Sequence, residues 1–320
     1  MKLALAVEEY VSRRRSDGSP FVSSELNLKA LWRWCGDIEL SGLAAESVAE
    51  FLNSPRCNAV TRVSKFSSIK CFVDYWSLRG QMPALDLDKP PKPQSVPGPF
   101  IYTRGQVKAL LHAAERSQSR GTRLDSRTLR MMLLTLYATA CSVDEVFKLR
   151  RSDVDFKNKR ICFNNSQMPE GRCIPIGGEF RSALAEYLSA KEKPISEDEF
   201  LFVAQGGEAL KRGYFYERFR SCNAIAGVSQ RSDGRGARPQ DLRFSFAVHR
   251  ISQCIRRAED LNRLLPALST YMGYSNLTKS EQFLAYAPDR FREDLRKLSP
   301  AKGSRHWRDN ARLMDVLRKL

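Results

Sequence analysis

The chain has 320 residues, 42% of them hydrophobic and 10% aromatic, which suits two cores better than one. Its 53 Lys and Arg against 36 Asp and Glu leave a formal charge of +17, a balance that favours a polyanion, DNA or RNA first and an anionic membrane surface second. No apolar run is long enough to span a bilayer, the N-terminal stretch lacks a cleavage site, and none of the cysteines or histidines stands at a zinc-ligand spacing, so the expectation is a cytoplasmic protein without membrane span, metal or cofactor. The eight cysteines (Cys35, Cys57, Cys71, Cys141, Cys162, Cys173, Cys222 and Cys254) form no C-x-x-C pair and read as reduced residues.

The first 85 residues read as helices. "LALAVEEYVSRRR" and "SSELNLKALWRWCGDI" are amphipathic, the second with Ser23–Ser24 as its cap, and "LAAESVAEFLNS" follows. "AVTRVSKFSSIKCFVDYWSLRG" carries Val60, Val63, Phe66, Ile69, Val73 and Trp76 at helical spacing, an apolar stripe expected to face the core, and Arg62, Lys65 and Lys70 as a basic face. That face is either a DNA contact or a solvated surface. "LDLDKPPKPQSVPGPF" then places five prolines within residues 90–99, a stretch that cannot run on as helix and reads as a linker.

Beyond it, "TRGQVKALLHAAERS", with Thr103 as N-cap, and "LDSRTLRMMLLTLYATAC" read as helices. "VDEVFKLRRSDVDFKNKRICF" predicts a short helix entering a strand, and "RICFNNSQMPEGRCIPIG" a β-hairpin. "GEFRSALAEYLSAK" predicts a helix, "EFLFVAQGGEAL" a strand with a turn, and "KRGYFYERFRSCNAIAG" a helix ending at Gly227. After the basic loop "SQRSDGRGARPQ" come the helices "DLRFSFAVHRISQCIRRA" and "LNRLLPALSTYMGYS", then a loop running into a helix before Pro288, and a basic amphipathic tail. The fold class is mainly α with a small antiparallel β-sheet (α+β), in two domains.

Three segments, "TLYATACSVDEVFKLRRSDVDF", "RPQDLRFSFAVHR" and "LLPALSTYMGYSNLTKSEQFLAYAP", resemble in order the first arginine box, the His-x-x-Arg box and the closing Gly-His box of the tyrosine recombinases, the phage integrase family. The resemblance covers nearly the whole chain. It implies a helical core-binding domain over residues 1–88 that clamps DNA, a linker over 89–99, a catalytic-type domain over 100–300 and a docking tail over 301–320. In that family a tyrosine attacks a DNA phosphodiester while two arginines hold the phosphate and a hairpin lysine protonates the leaving oxygen.

Carried over residue by residue, the match is incomplete. Ser142 stands where the first arginine belongs, three before Glu145. Gln167 takes the lysine's place, about five before the arginine of "GRCIPI", and Gln240 that of the first histidine. Arg243 is retained. Tyr274 replaces the histidine after glycine, and Phe283 the nucleophile. Tyr286, three residues on, is the alternative nucleophile; Tyr271 and Tyr274 are poorer ones, and His249 reads as a satisfied surface or interface residue.

The resemblance with these losses implies a double-stranded-DNA-binding protein of recombination or integration that does not itself cut. It would act beside an active recombinase of a mobile element or through self-association of its tail, with no small-molecule substrate. The alternatives are an active recombinase using Tyr286 or a partner's tyrosine, and a decayed remnant. Expected DNA contacts are Arg62, Lys65, Lys70, Lys89, Lys92, Lys211, Arg212, Arg218, Arg220, Arg243 and the loop carrying Arg231, Arg235 and Arg238.

Overall fold

The computed structural model describes residues 1–17, 21–55, 57–91, 98–117, 123–165, 168–191, 195–228, 234–257, 259–274, 280 and 282–286. The chain divides into two compact units, Met1–Val96 and Pro97–Leu320.

The first unit contains α1 (Leu3–Ser16), α2 (Val22–Cys35), α3 (Ala45–Asn53) and α4 (Ala59–Ser77). Apolar residues at helical spacing close one core, with Leu3, Val7 and Tyr10 meeting Leu28, Leu31, Phe51, Phe66, Ile69 and Phe72. Asn58 caps α4, its Oδ1 accepting the Thr61 N–H at 2.9 Å. Two expectations are corrected. Val60 lies in the first turn of α4 and is exposed, whereas Phe72 is fully buried. Ser23 and Ser24 do not cap α2, which starts a residue earlier after Phe21; Ser24 Oγ instead accepts from Ser68 Oγ at 3.2 Å, linking α2 to α4.

In the second unit, α5 (Arg104–Arg116) begins at a capping box in which Thr103 and Gln106 satisfy each other's backbone N–H. Asp125 caps α6 (Ser126–Thr139), whose apolar sides pack against α5, α8 and α10. After α7 (Val143–Lys148) come β1 (Val154–Asp155), β2 (Arg160–Asn165) and β3 (Met168–Pro175), an antiparallel sheet in the order β1-β2-β3. Helices α8 (Gly178–Ser189), α9 (Arg212–Ile225), α10 (Gln240–Arg256) and α11 (Leu261–Met272) follow, then a 3₁₀ turn, Gln282–Ala285.

Among the described residues the hairpin and the helices fall where their patterns predict, with three differences. Residues 199–210 form no strand: Phe200 and Val203 make single bridges to Arg150 and Ala209, and the Ala204 N–H bonds to Glu208 as the chain turns back at once. Of the closing segment, Gln282–Ala285 forms a tight 3₁₀ turn, and much of the rest lies outside the described residues. Cys162 and Cys173 are joined in a disulfide, because the β2–β3 register sets them directly opposite with Cα atoms 3.9 Å apart; the other six cysteines are free.

Candidate functional site

The site is built around one carboxylate. After α6 the chain turns through Ala140 in the left-handed region, and Ser142 starts α7. Ser142 Oγ accepts the Glu145 N–H at 3.2 Å, and Glu145 Oε2 accepts the Ser142 N–H at 2.5 Å. This reciprocal cap pins Glu145 in the interior. Two guanidiniums from other elements close on the same Oε2: Arg172 Nη2 of β3 at 3.1 Å and Arg243 Nη1 of α10 at 3.7 Å. Their remaining arms reach consecutive carbonyls at the end of α11. Arg172 Nη1 donates to Tyr271 O at 3.2 Å, and Arg243 Nη2 donates to Met272 O. Both arginines are more than nine-tenths buried, and the Nε of each has no hydrogen-bond partner among the described residues. Burial pulls Arg172 below the ordinary arginine range; Glu145 opposes the shift and Arg243 beside it adds to it.

On the open side lies a cavity of about 450 Å³ whose wall includes Ser142, Gln240, Arg243, Tyr274, Phe283 and Tyr286. Five of the six positions matched to the boxes therefore converge, together with the alternative nucleophile; Gln167 lies outside the described residues. Gln240 Oε1 accepts the Val143 N–H at 3.4 Å, turning its carbonyl toward the start of α7. Tyr274 lays its ring beneath Arg243, 4.8 Å from the guanidinium carbon. Phe283 is 4% exposed, stacked on Tyr274 at 6.3 Å and tilted against Phe244 at 5.5 Å. Tyr286 comes directly after the 3₁₀ turn, its N–H bonded to Phe283 O at 3.1 Å. Its ring lies against Gly98, where an added Cβ would stand 2.6 Å from the Tyr286 Oη.

The other aromatic and histidine candidates have structural partners. The Tyr271 hydroxyl donates to Ala138 O at 3.1 Å, and burial pushes it up to about 12. His249 is buried, not on the surface, with Nδ1 2.8 Å from the Tyr137 hydroxyl.

Several expected DNA contacts are engaged within the chain. Arg62 donates to Leu52 O at 3.0 Å, Lys65 sits 4.1 Å from the Phe51 ring centre, and Lys70 pairs with Asp74 at 2.6 Å. Arg212 pairs with Asp144, and Arg238 with Asp241 at 3.0 Å. Arg218 is buried and donates to Ser117 Oγ at 2.9 Å, which removes it from the surface set. Lys89, Lys211, Arg220 and Arg235 are exposed. Lys92, Arg231 and the 301–320 tail lie outside the described residues. Arg172 is the site residue that sequence reasoning missed. Its signal was strand phase, since it shares the inward face of β3 with Ile174.

Among the described residues no helix is long and apolar enough to cross a membrane, and no group of three or more His, Cys, Asp or Glu is placed to hold a metal ion.

The phage integrase family matches residues 101–257, from the entry to α5 through α10. A putative integrase/recombinase of Sinorhizobium fredii, y4rE, is 28% identical over 287 residues, covering 88% of this chain and 91% of that protein. The tyrosine recombinase XerC of Staphylococcus aureus is 27% identical over 255 residues, covering 77% of this chain and 78% of its own. Among solved structures, a lambda integrase dimer bound to a COC' core site superposes with a TM-score of 0.64 at 17% identity, covering 91% of this chain and 97% of that one. XerH bound to a palindromic difH substrate gives 0.60 at 18% identity, covering 85% and 78%. The helices around a three-stranded antiparallel sheet, the boxes gathered at one cavity and these likenesses agree: over residues 101–257 the chain carries a phage integrase family domain, and its fold is that of the tyrosine recombinases.

Proposed function

We propose that this chain binds double-stranded DNA in the manner of its family and does not cut it, acting as an accessory or architectural subunit beside an active recombinase of a mobile element. The observation that carries the reading is Phe283. It occupies the nucleophile's place, has no hydroxyl, and is packed into an aromatic cluster. Ser142 adds to it, since that position supplies a helix cap instead of a cation. Arg243 is kept at the cavity and binds a backbone phosphate. The helical first unit clamps the duplex, the exposed basic residues of the second unit add phosphate contacts, and the 301–320 tail docks on a neighbour. The protein acts in the cytoplasm, on the nucleoid in a bacterial host.

A second reading rests on Tyr286, which lines the same cavity as Arg243. The deciding experiment uses nicked suicide duplexes carrying the ends of the host element, with wild type and Tyr286→Phe side by side. A native-gel shift that weakens steeply with salt, without a covalent band on a denaturing gel, is the expected result. A covalent band in wild type refutes the inactive reading, and its loss in Tyr286→Phe assigns the cut to Tyr286.

A further inference from the structure

Glu145 carries one negative charge and stands between two guanidiniums, so among the described residues the buried cluster holds one surplus positive charge. The two contacts are unequal. Arg172 makes a direct hydrogen bond at 3.1 Å, whereas Arg243 sits at 3.7 Å, and only Arg243 reaches the cavity wall. We propose that Arg172 is a positioning residue that neutralises Glu145 and so leaves the charge of Arg243 available to a DNA backbone phosphate. The inference rests on the reading that Arg243 binds phosphate. Without Arg172, Arg243 is the nearest cation to Glu145 among the described residues. Such a pair is neutral overall, and its pull on a phosphate falls accordingly.

The framework supports this division of labour. Arg172 and Arg243 hold the carbonyls of Tyr271 and Met272, so the end of α11 spaces the two guanidiniums across one carboxylate. Gly273 comes next, and an added Cβ there would lie 2.7 Å from Arg172 Nε. Arg172 therefore passes directly behind the wall of the cavity to reach Glu145, and it acts without entering the site.

The test measures binding of the full chain to a fluorescent random-sequence duplex by anisotropy, between about 50 and 200 mM salt. The proteins are wild type, Arg243→Gln, Arg172→Gln, and Arg172→Gln combined with Glu145→Gln, each checked for folding by circular dichroism. Arg243→Gln is expected to flatten the log–log salt slope by about 0.9, the loss of one phosphate contact. Arg172→Gln is expected to do the same, although Arg172 lies behind the cavity wall. Adding Glu145→Gln is expected to restore the slope, because counterion and cation leave together. Rescue of this kind is not the behaviour of a merely structural arginine. A flattened slope in Arg243→Gln with an unchanged one in Arg172→Gln overturns the inference, as does a loss in Arg172→Gln that the double variant does not recover. An unchanged slope in Arg243→Gln overturns the reading beneath it as well. Should Arg172→Gln alone not fold, the double variant decides: a wild-type slope supports the proposal, and the Arg243→Gln slope overturns it.

Discussion

Gly273→Ala tests whether Arg172 is held as the geometry requires. Gly273 ends α11 at φ +72°, a conformation that costs an L-residue about 1–2 kcal/mol. Space adds a second cost. An alanine Cβ would stand 2.7 Å from Arg172 Nε and 3.0 Å from its Cδ, so the arginine must move. Its bonds to Glu145 at 3.1 Å and to Tyr271 O at 3.2 Å are then at risk. Breaking a buried pair costs about 3–5 kcal/mol, an upper bound here because Arg243 remains beside Glu145. The expected total is about 2–5 kcal/mol. Gly227→Ala is the internal control: it sits at φ +62° just after α9 with nothing within 4 Å of an added Cβ, so only the backbone cost of about 1–2 kcal/mol applies. Urea titrations of the full chain followed by far-UV circular dichroism compare the two variants. Equal losses, within about 0.5 kcal/mol, would refute the placement of Arg172.

Phe283→Ala removes a buried ring packed on Phe244 and Tyr274, and a loss of about 3 kcal/mol is expected in the same titration; a loss under about 1 kcal/mol would mean the ring is not part of the core. The Cys162–Cys173 link closes a loop of separation 11, worth at most about 3 kcal/mol. Reductant should lower the melting temperature of wild type and leave the double serine variant unmoved. Among the thiols, exposed Cys71 should label with iodoacetamide in the native state, while Cys141, which burial pushes up to about 12, should label only on unfolding. The raised folded value has a sign. The unfolded chain deprotonates first, from about 9.0 upward, so the Cys141 contribution to stability is lost as pH climbs from there toward 12. Native-state labelling of Cys141 at neutral pH would contradict its burial.

Elements with a local cause were legible in the sequence. Thr103 with Gln106 marks the start of α5, and the alternation in "RICF" and "GRCIPI" marks the hairpin. The boxes indicated which residues share the cavity through the family resemblance they carry, since only Gln240 and Arg243 stand on a long helix. What failed depended on contacts between elements. Ser24 was read as a cap because its partner Ser68 lies 44 residues away, on another helix. The pairing of Cys162 with Cys173 depends on strand register, which a C-x-x-C search does not detect. Arg218 looks like a surface cation in a basic stretch, yet the phase of α9 turns it toward Ser117. Arg172 was passed over as a landmark for its neighbour, although a charge in phase with Ile174 must either find a buried partner or break the strand's packing.

On the proposed reading, Ser142 and Phe283 stand where catalytic residues would, and each fills a structural place that resists reversal. Ser142 caps α7 through Glu145, a contribution of about 1 kcal/mol that arginine cannot supply. An arginine at 142 would also bring a third guanidinium to a cluster that, among the described residues, has one carboxylate for two. Each unpaired buried charge is costly, so that reversion is disfavoured unless a phosphate arrives with it. Phe283 is similarly bound to its surroundings. Its ring lies between Phe244 and Tyr274, and Tyr274 in turn supports the Arg243 guanidinium. A histidine at 274 or a tyrosine at 283 would have to satisfy a polar group against these aromatic faces. The positions that chemistry would need are thus coupled through Glu145 and through the aromatic stack. On the reading proposed here, the chain exchanged the tools of cleavage for a cap, a balanced charge cluster and an apolar plug, and kept the one arginine whose grip on phosphate needs no nucleophile.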